Sequence, residues 1–267
     1  MLIRNLLVPV SPTSAAQVAL DQALEIAERL GARVLLAAQW PKEREELPSD
    51  LPGLEPDPVE QALPDEPTWP EESLPPSALP EYAFAAVEQC EQRNLTHRVV
   101  PVYGQLLPRL RELSRIADLV VVSCPDSPMA LSRREAVALA TTALCPCLFA
   151  AREPLLPRRM VIAYDGSPEG VRTLRSAADL AAALNLRTSA TVIAAQRRDL
   201  DRLASEARAI LVSRGLEAEV NELVRVRLQE IPGLAAEEGA HLVAGPPVKQ
   251  FITAALQTTS LLLLTGF

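Results

Sequence analysis

The chain has 267 residues, 48% of them hydrophobic, with four cysteines and a net charge of −8. That length and that apolar content suit one or two domains with real cores and exclude wholesale disorder. Aromatics at 3% and two histidines leave no stacking platform for single-stranded nucleic acid and little material for imidazole metal sites.

No apolar run approaches the roughly 18 residues that a membrane span needs. The opening stretch, Met1 to Val10, is apolar only briefly and breaks at Pro9, so no secretory signal is predicted. Four cysteines in a chain this long make no disulfide framework. The setting expected from these features is a reducing cytoplasm, with no membrane partner.

The first element is an apolar strand around Leu6-Leu7-Val8. A turn and a helix follow, with apolar positions 20, 23, 24, 27 and 30 at the helical period. Thr13 stands where an N-cap belongs. A second apolar strand runs from Val34 to Ala38. The character of the chain then changes. Between Pro41 and Pro80 lie eleven of the 24 prolines and eleven Asp or Glu, against only Lys42 and Arg44. This one segment carries the acidity, and the rest is close to neutral. A polyanion is repelled by such a segment, so no nucleic-acid partner is expected. Proline removes amide donors and pushes its neighbours out of the helical region, which predicts an extended insertion. Its bland reading is a solvated loop; its functional reading is a docking arm with Trp69 as the anchor. Deleting Glu43 to Leu79 behind a short Gly/Ser bridge is expected to leave the melting temperature nearly unchanged. A large loss of stability would show that the segment packs on the core.

Beyond the insertion, the pattern predicts a helix near 81–94, a strand 97–103, a helix 106–117, a strand 118–123, a helix 132–143 and a strand 146–150. Then the chain repeats itself. At an offset of 154, Leu6-Leu7-Val8 falls on Met160-Val161-Ile162, and Leu20, Ala23, Ala27, Leu30 and Arg33 meet Leu174, Ala177, Ala181, Leu184 and Arg187. Ser167 before Pro168 reads as N-cap and N1. The second strand of this copy is Ala190 to Ala195. The remaining pieces fall near 199–214, 217–224, 228–239, 241–245, 248–258 and 260–265. Near the ends the offset is 117, where Leu139, Thr141, Thr142 and Leu144 meet Leu256, Thr258, Thr259 and Leu261. Alternating strands and helices with continuously apolar strands are the mark of a parallel sheet covered on both faces. The reading is therefore α/β, with two tandem doubly wound domains at 1–150 and 157–267, the first holding the insertion at about 41–80.

The strand leading into Tyr164-Asp165-Gly166-Ser167-Pro168, the helix ending at Leu184-Asn185-Leu186, and Cys145-Pro146-Cys147-Leu148-Phe149 closing the first copy resemble the universal stress protein family. The two-copy layout is similar to that of its tandem members. The resemblance implies five-stranded sheets of order 3-2-1-4-5, a role in the stress response and, in many members, ATP binding. In those members an Asp ends the first strand and a G-x2-G-x9-G-[ST] loop after the fourth strand holds the phosphates on backbone amides. Carried onto this chain, the Asp matches Asp165 in the second copy but Ser11 in the first. The first pair of loop glycines falls on Ser123 and Asp126 in copy one, with Arg133 and Arg134 near the later Gly-Ser position. In copy two Gly245 matches the first glycine, and Pro246-Pro247-Val248 follow. Asp165 and Gly245 are thus the candidate cofactor-binding residues. Asp165 has a bland alternative as the turn residue of a D-G-S-P strand-to-helix junction, and Arg133 and Arg134 as a solvated helix start.

Other candidates fare worse. Cys124 ends the fourth strand and Cys145 begins the fifth. Parallel strands separate them by about 15 Å, too far for a shared metal. Cys147 and Cys90 read as structural, and His97 and His241 open strands in different copies. There is no nucleophile elbow, Walker loop or H-E-x-x-H. The expectation is a non-catalytic stress-type protein with degenerate nucleotide sites, no cofactor and no metal, acting through an unnamed protein partner. Its alternative is an ATP-binding sensor using copy two. The resemblance also implies that the copies pair through their fifth strands, 146–150 and 261–265. An exposed apolar sheet edge gives the same expectation.

Overall fold

The computed structural model describes residues 3–40, 79–123, 131–150, 157–258 and 262–265. Nearly all of the acidic insertion, Cys124, Asp126 and the linker 151–156 therefore lie outside the described residues. The first half runs β1 (Asn5–Val10), α1 (Ser14–Leu30), β2 (Arg33–Gln39), α2 (Glu81–Gln92), β3 (His97–Val102), α3 (Leu106–Leu113), β4 (Leu119–Val122), α4 (Arg133–Thr142) and β5 (Cys147–Phe149). The second runs β6 (Arg159–Tyr164), α5 (Pro168–Ala183), β7 (Arg187–Ala194), α6 (Arg197–Val212), β8 (Ala218–Val224), α7 (Ile231–Glu237), β9 (Leu242–Ala244), α8 (Lys249–Ala255) and β10 (Leu262–Thr265). Among the described residues, no helix is long and apolar enough to cross a membrane.

The duplication extends to the caps. The Thr13 hydroxyl accepts from the Ala16 amide at 3.1 Å, and the Ser167 hydroxyl accepts from the Gly170 amide at 2.9 Å. Each bond satisfies a donor that the first helical turn leaves unpaired. The chain leaves the first helices through Gly31 at φ 61° and Asn185 at φ 52°, the two residue types that enter the left-handed region most readily. One expected element divides. The helix predicted over 228–239 is a 3-10 turn, Leu228–Glu230, followed by α7. Pro232 lies in the first turn of α7, where its missing amide costs no intrahelical bond.

Among the described residues, all strands join one ten-stranded sheet of order β3-β2-β1-β4-β5-β10-β9-β6-β7-β8. Each half is parallel within itself and has the expected 3-2-1-4-5 order. At the centre β5 and β10 run antiparallel, with Phe149 opposite Leu263, Leu148 opposite Leu264 and Cys147 opposite Thr265. The edge that each half leaves open is thus closed by the other. Two buried clusters, one on each face of the sheet, contain residues from both halves. Leu79, the last residue of the stretch the sequence marks as removable, packs against the first cluster. This corrects the deletion: the version that spares Leu79 ends at Ala78.

Candidate functional site

In a doubly wound sheet, ligands bind beyond the carboxyl ends of the strands where the strand order reverses. Here that point is between β1 and β4 in the first half and between β6 and β9 in the second.

In the first half the chain emerges from β1 at Ser11, whose hydroxyl lies 3.3 Å from that of Thr13. The space between the ends of β1 and β4 is a cavity of about 10 Å³, bordered by Ser11, Gln39, Leu106, Val122, Ser123 and the buried Leu131. That is about the room one water needs. The adjoining start of α4 is closed by its own side chains. Ser132 and Glu135 form a reciprocal cap: the Ser132 amide donates to the Glu135 carboxylate at 2.8 Å, and the Glu135 amide donates to the Ser132 hydroxyl at 3.3 Å. The hydrogen bonds from Ser132 hold the Glu135 carboxyl below its usual range. A fixed anion therefore sits at the end of α4 that an incoming phosphate needs. Arg133 and Arg134 are exposed beside it.

In the second half, Asp165 and Gly245 come to the same end of adjacent parallel strands, since Ile162 pairs with Ala244. Each already has a structural role. Asp165 Oδ1 accepts from the Ser167 amide at 3.0 Å and from the Ser167 hydroxyl at 2.7 Å. The carboxylate closes the turn into α5, as the bland reading expects. Between them Gly166 adopts φ 76°, and a Cβ there would overlap the side chain of Leu203 on α6. Gly245 is buried against Phe251 of α8, and a Cβ on it would overlap the ring. Beyond Gly245, Pro246 and Pro247 have no amide hydrogen to offer, and the Val248 amide donates to the Pro246 carbonyl at 2.7 Å.

The remaining candidates are dispersed. Cys90, Cys145 and Cys147 are free and buried. Burial pushes the Cys90 thiol up to about 11 and the Cys145 thiol up to about 12, and raises Cys147 well above its usual value. Thiols so placed stay protonated and are poor nucleophiles and poor metal ligands. His97 Nδ1 lies 3.2 Å from the Leu95 carbonyl. Among the described residues, no group of three His, Cys, Asp or Glu is placed to hold a metal.

Two larger cavities were not expected from the sequence. One, of about 440 Å³, lies between the β1–α1 turn and the start of α2, bordered by Ser11, Thr13, Gln17, Glu81 and Tyr82. There the Tyr82 hydroxyl donates to the Gln39 carbonyl. The other, of about 480 Å³, lies between β8 and α7. A signal for the second was present, in the Ser and Thr that interrupt an otherwise apolar β7.

No protein-family model and no curated protein matches the chain. Solved structures do match. A universal stress protein from Archaeoglobus fulgidus DSM 4304 superposes with a TM-score of 0.61 at 10% identity, covering 98% of this chain and 96% of that one. A putative universal stress protein from Pseudomonas aeruginosa UCBPP-PA14 gives 0.59 at 13% identity, covering 98% and 92%. The cytoplasmic domain of a prokaryotic cation chloride cotransporter gives 0.58 at 11% identity, covering 99% and 96%. Likeness at these identities is likeness of fold: the chain has the tandem universal stress protein fold.

Proposed function

We propose that this chain is a tandem universal-stress-type protein of the cytoplasm, built from units 1–150 and 157–267. In it both nucleotide positions have been given over to packing, and the protein serves the stress response without catalysis, through contact with another protein. The observation that carries this reading is the Phe251 ring seated on Gly245. The glycine that matches a phosphate-loop position by sequence is accounted for by a core contact. The committed Asp165 carboxylate, the narrow crevice of the first half and the Glu135 anion at the start of α4 support it. The residues present do not fit a triphosphate. Three amides of the second half are absent or already bonded, at Pro246, Pro247 and Val248. Each lost charge-assisted hydrogen bond forfeits about 1.5–3 kcal/mol, so losing two or three weakens binding by at least about a hundredfold.

The second reading is an ATP-binding sensor using the second half, favoured by Asp165 and Gly245 meeting at one end of β6 and β9. One titration separates them. With ATP and Mg²⁺ up to about 1 mM, equilibrium dialysis on the full chain is expected to show no saturable binding. Micromolar affinity that disappears in Asp165→Ala establishes the sensor instead.

A further inference from the structure

The two halves present the same face of the sheet with opposite chemistry. In the first half, Leu35 and Ala37 of β2 and Val100 of β3 are buried in one apolar cluster with Leu110 of α3. At the 154-residue offset, Leu35 becomes Ser189 and Ala37 becomes Thr191. The strand registers, which pair Ala37 with Val100 and Thr191 with Asn221, carry Val100 onto Asn221. Side chains of paired residues in parallel strands share a face, and residues two apart along a strand share it too. The second half therefore lays a row of hydroxyl and amide groups where the first lays hydrocarbon.

At Ser189 that row is not satisfied from within. Ser189 is 2% exposed, and its hydroxyl has no hydrogen-bond partner among the described residues. Buried hydroxyls are normally bonded, because desolvating one without a partner is costly. The substitution of a leucine position by an orphaned serine is a local loss of stability that packing does not explain. Thr191, 4% exposed, faces the cavity of about 480 Å³. The cavity has two characters. Thr191 and Asn221 form its polar side; Leu223, Ile231 and Leu234 form its hydrocarbon side. Its carboxylates are accounted for. Glu238 is held by Arg159 at 3.0 Å, and Glu222 alternates with Asn221 along β8 onto the other face of the sheet. A volume of this size, mostly apolar with a few convergent polar groups, is typical of small-molecule sites.

We propose that this cavity is a binding site for a small uncharged amphipathic molecule. An amide or hydroxyl head hydrogen-bonds to Thr191 and Asn221, and a short hydrocarbon body lies against Leu223, Ile231 and Leu234. The site is on the α7 face toward the outer edge of the sheet, away from the reversal between β6 and β9, and is independent of the nucleotide argument.

The test uses three probes of one length on the full chain: hexanamide, hexanoate and hexylammonium, each followed by backbone amide shifts in NMR. Hexanamide is expected to give saturable shifts confined to β7, β8 and α7, with both ions at least about tenfold weaker, since neither can leave its charge in this pocket without a counterion. Thr191→Ala restores the residue of the first half, and Thr191→Val removes the hydroxyl while keeping the shape of the side chain. Each is expected to weaken hexanamide by about tenfold. Thr191→Val keeps the test valid if the smaller side chain disturbs folding. The proposal is overturned if hexanamide gives no saturable shift, if the ions bind as well as the amide, or if Thr191→Val binds like the parent.

Discussion

Replacing Leu148 with Lys is expected to cost at least about 3 kcal/mol and to part the two halves of the sheet. Leu148 is 1% exposed, at the middle of β5. Its backbone is bracketed by Val121 of β4 on one side and Leu264 of β10 on the other. Its side chain lies in a buried cluster that also contains Met160, Ile162 and Tyr164 of the second half. Truncating a leucine in such a place typically costs 2–5 kcal/mol. The lysine adds an ammonium group, and a charge buried without a partner is costlier still. The antiparallel joint has only three paired positions, so a disturbance at its centre has little redundancy to draw on. Leu263→Lys on the facing strand is expected to act in the same direction. Urea unfolding together with small-angle scattering checks this. A lower midpoint with an enlarged radius of gyration is the expected result; a compact, monodisperse variant with an unmoved midpoint would falsify the view that the β5–β10 joint holds the halves together.

Much of this architecture is legible in the sequence because it is written twice. A strand, a cap and a helical stripe recurring at 154 residues fix the element types, and continuously apolar strands fix a sheet covered on both faces. The edge pairing follows too, since two apolar edges in one chain have each other as the nearest partner. What sequence reasoning misses depends on contacts between elements. The division of 228–239 follows from Pro232, whose effect depends on where the helix begins. Leu79 looks like the tail of a proline-rich stretch, and only packing shows that it belongs to the core. Asp165 is legible as a turn residue, because a D-G-S-P stretch satisfies itself locally. Gly245 is not legible: matched to a motif it looks like a phosphate glycine, and the reason for it is a ring six residues later. The polar floor at Thr191 and Asn221 shows in the single sequence only as polar residues interrupting apolar strands, and its contrast with the first half emerges when the copies are laid register on register.

Gly245 also offers the sharpest separation between a ligand residue and a packing residue. Gly245→Ala adds one methyl group. The backbone there does not need glycine's conformational freedom, since Gly245 is not among the residues of positive φ. The whole effect must therefore come from the space the methyl enters, and that space is filled by the fully buried Phe251 ring. The ring is anchored in α8 and packed within a cluster that includes Ile252, Ala255 and Val243, so it has little room to withdraw. Overpacking of this kind costs about 1–3 kcal/mol. For a chain of this size that is a fall of several degrees in melting temperature, at roughly 2–4 °C per kcal/mol. Phe251→Leu alone is expected to be destabilising through the cavity it leaves. Combined with Gly245→Ala it is expected to be less destabilising than the two single costs together, because the new methyl group occupies part of the vacated volume. Thermal melts of the two single variants and the double variant, without nucleotide, measure this coupling. Additive costs, or a Gly245→Ala variant that melts like the parent, would mean that Phe251 does not explain the glycine and would return Gly245 to the phosphate-binding reading.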